Sequence, residues 1–394
     1  MVPERYKEML GKKSVIREMF AYGAKRAEEI GYDHVFDYSL GNPSVPAPKD
    51  FQERLLELVQ SEEPTKLHGY SPSLGIESTK NAVAKSLNQR FDMSYQSKHI
   101  FMVSGAAGAI AHAVRAVTNG GDEVITFAPF FPEYIPYINS TGALLQIVPA
   151  DINTFSINFD KLLEFFNPKV TAVLINTPNN PSGVVYSTQT LTKLSQILSE
   201  KEKEYGHPIY LISDEPYREI VFNGVDAPYV AKLYHNSLTC YSFSKSLSIP
   251  GERIGYIAVN PQCEDADILV DVFGQISRGI GHNCPPSLMQ LAIETVLDKT
   301  SDLSVYEKNK EILYEELKKL GFECVEPGGT FYMFPRALEE DANRFCERAK
   351  EFDLLLVPGD SFGCKGHFRI SYCVDTPKVI RSLEAFHKLA KIYK

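Results

Sequence analysis

Lys245 lies in the run Ser242-Phe243-Ser244-Lys245-Ser246, among small hydroxyls, and Arg253 follows shortly after. Most lysines are solvated surface residues. A lysine beside anion-binding hydroxyls and an arginine suggests instead an amine held near a phosphate, and such amines act as nucleophiles toward carbonyl carbon. Asp214 ends the apolar run Ile209-Tyr210-Leu211-Ile212-Ser213, and Tyr217 follows it. A carboxylate in that place is costly without a partner, and a protonated ring nitrogen would be one, although an aspartate capping the next element is the commoner use. The run Asn176-Thr177-Pro178-Asn179-Asn180-Pro181-Ser182-Gly183 fixes an irregular backbone that can aim the Asn180 amide at a ligand, or simply turn the chain. Ser104-Gly105-Ala106-Ala107-Gly108 opens a helical stretch. Small residues there let backbone N–H groups approach an anion, and they equally serve close helix–sheet packing.

Together the four segments describe one ligand. It has a phosphate (Gly105, Ala106, Ala107, Ser242, Arg253), a basic ring nitrogen (Asp214), a ring oxygen (Asn180, Tyr217) and an aldehyde (Lys245). That ligand is pyridoxal 5′-phosphate. The chain has no G-x-G-x-x-G, no G-x-x-x-x-G-K-[ST] and no H-E-x-x-H. His68, His112 and His282 lack metal-ligand spacing, so packing or solvent-facing histidines and no metal are expected.

Each of these segments follows a short apolar run. Strands are predicted at Ile100–Val103, Glu123–Phe127, Leu144–Val148, Val170–Asn176, Ile209–Ser213, Leu238–Ser242 and Ile254–Val259, with helices between many of them, including Ala107–Val117 and Leu191–Lys203. Apolar strands alternating with amphipathic helices imply an α/β fold, a mostly parallel sheet covered on both faces. Ligands on such sheets bind beyond the carboxyl ends of strands, where the four segments fall. A helix is expected over 14–30, and the proline-rich run Leu40 to Pro48 reads as an extended connector. After Pro286 come three helical stretches, short strands at Phe331–Phe334, Leu354–Val357 and Phe368–Ser371, and a C-terminal helix, which together read as a smaller α+β domain.

The chain has 394 residues, more than one core usually accommodates, so two domains are expected. Its net charge of −9, with no Lys/Arg run, makes it a poor nucleic-acid binder. The seven cysteines show no C-x-x-C spacing and read as reduced thiols. No apolar stretch reaches the roughly 20 residues of a spanning helix, and the N-terminal residues lack a signal-peptide core, so a soluble cytoplasmic protein is expected.

The sequence also resembles the class I and II aminotransferases, aspartate aminotransferase-like enzymes of PLP fold type I. The resemblance runs through Leu40-Gly41-Asn42-Pro43, Tyr70 with Gly75, the Asn176–Gly183 run, Asp214-Glu215-Pro216-Tyr217, and Ser242-Phe243-Ser244-Lys245 with Arg253. It continues through Pro327-Gly328-Gly329-Thr330-Phe331-Tyr332, Val357-Pro358-Gly359-Asp360-Ser361-Phe362-Gly363 and Arg369-Ile370-Ser371. It implies an N-terminal arm with part of the small domain over 1–46, a large cofactor domain over 47–286 and a small domain over 287–394. It further implies that Lys245 forms the internal aldimine and shuttles a proton. Asp214 would keep the ring nitrogen protonated, and Asn180 and Tyr217 would bind the ring oxygen. Ala106, Ala107, Ser242, Ser244 and Arg253 would hold the phosphate. Phe131 would stack on the ring where some members use tryptophan, which this chain lacks; the alternative is that Phe130 faces the ring and Phe131 the core.

Arg369, with Gly41 and Asn180, would bind the substrate α-carboxylate. Tyr70 would reach a second subunit's phosphate, which implies a homodimer with a shared site. Arg278 falls one position off the arginine of aspartate-specific members and reads as a surface or partner contact, while Arg17 could supply that charge or be a solvated helix residue. The activity implied is amino-group exchange between an amino acid and a 2-oxo acid in a ping-pong cycle. A C–S β-lyase shares the carbanion-forming groups and is the rival reading. A DNA-binding regulator on this fold would need a basic segment ahead of the first motif, which arrives by Gly41.

Overall fold

The computed structural model describes residues 2, 7, 14–222 and 224–394. A helix over Val15–Ile30 leads into the two-residue strand β1 (Phe36–Asp37). The central sheet follows: β2 (Ile100–Val103), β3 (Glu123–Phe127), β4 (Leu144–Val148), β5 (Val170–Asn176), β6 (Tyr210–Asp214), β7 (Ser237–Ser242) and β8 (Gly255–Val259). Their order across the sheet is β2-β8-β7-β6-β5-β3-β4, and only β8 runs antiparallel to its neighbours. The carboxyl ends of β2, β5, β6 and β7 therefore share one edge. β5, β6, β7 and β8 are buried along almost their whole length, as a sheet covered on both faces requires. One face packs Ala109, Ile110, Ala113 and Val114 of the helix Gly105–Val117 with Phe273. The other packs Leu191, Leu194 and Leu198 of the helix Thr188–Tyr205.

A second unit contains β9 (Tyr332–Met333), β10 (Leu354–Leu355), β11 (Val357–Pro358) and β12 (Phe368–Ser371). β11, β12 and β9 form an antiparallel sheet. β10 instead pairs in parallel with β1, which brings the N-terminal segment against the C-terminal unit. The single strand expected over Leu354–Val357 is thus two short strands serving different sheets, because Leu356 separates residues whose backbones find different partners. Two helices, not three, lie between Pro286 and β9: Ser287–Ile293 and Ser304–Leu320. The helix Ala342–Ala349 falls after β9, where Asp341 caps it by accepting hydrogen bonds from the Asn343 and Arg344 amides. Met289, Leu291 and Ile293 pack with Val83, Met102 and Tyr256, so the packing of the large unit continues past Pro286.

Gly255 begins β8 at a point of close approach. A Cβ there would lie 2.3 Å from the Tyr241 carbonyl oxygen and 3.1 Å from the Gly105 Cα. Both obstacles are backbone, so neither yields by a rotamer change. Gly255→Ala is expected to lower stability by about 2–4 kcal/mol, checked by urea unfolding of the variant against the parent.

Candidate active site

Four loops at the carboxyl ends of β2, β5, β6 and β7 bring their polar groups to one edge of the sheet. Ser242 ends β7 and caps the short helix Phe243–Ser246, its Oγ accepting from the Ser244 amide at 3.2 Å. That cap places Lys245 in the first turn, and its Nζ donates to the Gly41 carbonyl at 2.6 Å. The amine is desolvated, and Arg253 and Arg369 add positive field. Burial foremost pulls its pKa down to about 8, and a nearby Cys373 partly opposes this.

Asp214 is the last residue of β6, one position beyond the expected strand, and its backbone lies between Asn176 of β5 and Cys240 of β7. Its Oδ2 accepts from the Tyr134 hydroxyl at 2.6 Å, while its Oδ1 is buried with no partner among the described residues. The Asn176 amide donates to the Asp214 carbonyl at 2.8 Å and fixes the strand end. Burial raises the Asp214 pKa to about 7; the Tyr134 hydrogen bond opposes the rise and Glu215 adds to it.

The run after β5 turns on two cis X-Pro bonds, Thr177-Pro178 and Asn180-Pro181. Asn176 Oδ1 accepts from the Asn180 amide N–H at 2.6 Å, which aims the Asn180 side chain at Arg369. Arg369 Nη1 donates to Asn180 Oδ1 at 3.0 Å and Nη2 to the Ser39 carbonyl at 2.5 Å. Its Nε is buried and unpartnered, and its guanidinium is stacked between the Tyr332 and Phe362 rings at 4.7 and 4.9 Å from their centroids. Among the described residues no carboxylate pairs with this buried cation, an expensive arrangement unless an anion is brought to it. Tyr217 lies beside it, its hydroxyl 3.1 Å from that of Tyr332.

The helix Gly105–Val117 starts with Ser104 as N-cap, and the Ser104 side chain makes no capping bond. Gly105, Ala106 and Ala107 thus supply first-turn N–H groups that no side chain caps. Arg253 sits over this end: Nη2 donates to the Ser104 carbonyl at 3.3 Å, and a Cβ on Gly105 would lie 2.7 Å from that nitrogen. Arg253 itself holds φ at +53°, a left-handed conformation that a side chain other than glycine rarely adopts. Ser242 Oγ and Ser244 Oγ are 2.7 Å apart nearby.

Phe130 is buried in the core with Tyr134 and Ala128, whereas Phe131 is half-buried, edge-on to Tyr134 with centroids 5.8 Å apart. Tyr70 is fully exposed and touches none of the groups above. Arg278 and Arg17 are exposed on their helices. His112 bridges the Gly108 carbonyl and Ser277 Oγ, and burial lowers its pKa to about 4. His68 is exposed on the surface. Tyr134, Asn176, Ser39 and Tyr332 were not singled out from sequence as site residues. A cavity of about 280 Å³ opens elsewhere, between Asn153, Phe155, Phe334, Arg336 and His367, and holds none of these groups. Among the described residues no helix is long and apolar enough to cross a membrane.

An uncapped helix N-terminus under Arg253, the buried amine of Lys245, the Asp214 carboxylate and the Arg369 guanidinium thus share one edge of the sheet. Residues 33–386 match the model of the family "aminotransferase class I and II", and the chain belongs to that family. It is 29% identical to an aspartate aminotransferase of Thermotoga maritima, over 92% of each chain. It is 27% identical to an aromatic-amino-acid aminotransferase of Thermococcus litoralis, over 92% of this chain and 93% of the other. The crystal structure of an aminotransferase from Eubacterium rectale superposes with a TM-score of 0.96 at 46% identity, covering all of both chains. The fold is that of the aspartate aminotransferases, and the activity is amino-group transfer. Nothing in these relatives favours the C–S β-lyase.

Proposed function

We propose that the chain uses pyridoxal 5′-phosphate, attached at Lys245, to exchange an amino group between an amino acid and a 2-oxo acid in two half-reactions. The observation that carries this reading is Asp214 Oδ1, buried without a partner beside a carboxylate oxygen already held by Tyr134. A protonated ring nitrogen supplies the missing donor and the missing charge. When bound, the cofactor supplies an aldehyde that takes the amino group and a ring that takes up negative charge.

The protein groups divide the remaining work. The first-turn amides of Gly105, Ala106 and Ala107, with Ser242, Ser244 and Arg253, hold the phosphate. Phe131 covers one ring face. Asn180 and Tyr217 bind the ring oxygen. Arg369 takes the substrate α-carboxylate as a planar two-pronged donor, with Gly41 and Asn180 alongside. The Lys245 amine, once released, moves a proton at the substrate's α-carbon.

We take the working molecule to be a homodimer. The Tyr70 loop is held by Ser287 Oγ on the Gly69 carbonyl and by Gln290 on Ser71, while the Tyr70 ring stands free in solvent. That combination supports a ring that reaches a second copy's phosphate. The division proposed is an N-terminal arm with part of the small domain over 1–46, a large cofactor domain over 47–286 and a small domain over 287–394, although the helix Ser287–Ile293 packs on the large one. A cytoplasmic location is the reading that seven free thiols support.

The test is a single-turnover absorbance measurement over a panel of amino donors. Stoichiometric conversion of the bound cofactor, reversed by a 2-oxo acid, supports transfer; pyruvate and ammonia released without an acceptor would indicate the lyase. Cofactor loading also has a defined pH dependence. Asp214 must be ionised to pair with a ring cation, and Lys245 must be neutral to attack. Both conditions improve as pH rises through about 7 and about 8. The loading rate is expected to climb from pH 6 and level off above the Lys245 value; stopped-flow absorbance of apoenzyme mixed with cofactor measures it.

A further inference from the structure

We infer that Tyr332 is a positioning residue of this site: its hydroxyl sets the direction of the Tyr217 hydroxyl, and its ring face supports Arg369. The inference deepens the proposed function and rests on it.

Tyr332 lies on β9 in the smaller unit, while Tyr217 follows β6 in the larger one. The two hydroxyl oxygens are 3.1 Å apart and the rings meet edge-on, centroids 5.6 Å apart at 82°. The Arg369 guanidinium lies 4.7 Å over the Tyr332 ring. One side chain therefore touches both the group assigned to the ring oxygen and the group assigned to the substrate carboxylate. The surroundings leave it no freedom. A Cβ on Gly41 would fall 1.9 Å from the Tyr332 hydroxyl oxygen, so the space that hydroxyl fills exists only because residue 41 is glycine. The Tyr332 amide donates to Thr330 Oγ1 at 3.0 Å, and Thr330 holds a left-handed φ of +64°. A strained residue two positions before a site side chain, tied to it by that hydrogen bond, is the kind of feature that fixed positioning requires.

The proton count then sets the direction of the bond. Each phenol carries one proton, and burial keeps both phenols protonated at neutral pH. If the Tyr217 proton goes to the cofactor's ring oxygen, the proton between the two phenols must come from Tyr332. A hydroxyl that accepts a hydrogen bond is a stronger donor. Tyr332 thereby strengthens the bond from Tyr217, which stabilises negative charge on the ring oxygen and lowers the proton affinity of the bound cofactor. The Tyr332 ring, independently of its hydroxyl, holds the guanidinium flat for a carboxylate.

The test separates hydroxyl from ring. Wild type is first reduced with borohydride and mapped to establish that the cofactor sits on Lys245. Absorbance of the bound cofactor is then titrated against pH for wild type, Tyr332→Phe, Tyr217→Phe and the double variant. Tyr332→Phe is expected to raise the titration midpoint by about half a unit and lower kcat about threefold to tenfold, with KM within about twofold. In a Tyr217→Phe background the same change should move the midpoint by less than about 0.2 units, because the bond it acts through is gone. Tyr332→Leu, which removes the ring, should raise KM for amino acid and 2-oxo acid alike by about tenfold. A Tyr332→Phe midpoint equal to or below that of wild type, or a shift that persists without the Tyr217 hydroxyl, overturns the inference and leaves the cofactor assignment standing. A wild type not labelled at Lys245 overturns the assignment itself, and the inference with it.

Discussion

Replacing Lys245 with alanine is expected to lower kcat by about 10⁴-fold or more while the protein stays folded. Lys245 is the one group assigned both a nucleophilic and a proton-moving role, so its loss removes two contributions at once. The fold does not depend on it. Its hydrogen bond is to the Gly41 carbonyl, and its burial works against the charged form. A folded-state pKa of about 8, below the ordinary lysine value, means that the charged amine destabilises the cofactor-free fold as pH falls through that value. Cofactor-free Lys245→Ala should thus melt at or slightly above the temperature of the parent at pH 7. A small primary amine added to the variant should restore part of the rate, since it can supply the missing base. Steady-state kinetics with and without the amine, beside a thermal melt, check all three points. Retention of more than about one-hundredth of the parent rate would remove Lys245 from the centre of the chemistry.

Asp214→Asn should cost about 10³-fold in kcat with little change in structure. The substitution keeps an oxygen to accept from Tyr134, so the local packing is preserved. It replaces a negative charge by an amide at the position where Oδ1 now lacks a partner. Two unit charges at hydrogen-bonding distance are worth about 4 kcal/mol at the effective dielectric of such sites, which converts to about three decades of rate. Cofactor affinity should fall alongside, and Tyr134→Phe should show a smaller loss, about tenfold, because it removes one donor and leaves the charge. Equilibrium dialysis and single-turnover rates separate the two effects. A Asp214→Asn enzyme within about tenfold of the parent would show that the buried carboxylate does not pair with a ring cation.

Much of this site was legible in the sequence because its parts are local. An apolar run ending in Asp214 marks a strand end whatever its neighbours do. β2, β3, β4, β5 and β12 carry the boundaries their hydrophobic runs define. Lys245 among hydroxyls and the doubled Asn-Pro run are likewise visible within ten residues of chain. What escaped is what only the folded chain brings together. Tyr134 donates to Asp214 across 80 positions, and the Ser39 carbonyl accepts from Arg369 across 330. Tyr332 is an ordinary strand aromatic between Phe331 and Met333 until β9 is set beside the loop after β6. The pairing of β1 with β10 has no local signature either, since two residues are too few to show alternation. Gly41 gave a fair hint: a glycine in an extended, proline-rich run suggests close approach, and the atom it admits is the Tyr332 hydroxyl.

Borohydride reduction of the cofactor-loaded enzyme, followed by proteolysis and mass mapping, addresses the covalent attachment directly. The expected result is a pyridoxyl phosphate adduct on the peptide that contains Lys245 and on no other lysine. An adduct elsewhere, or none, contradicts the account.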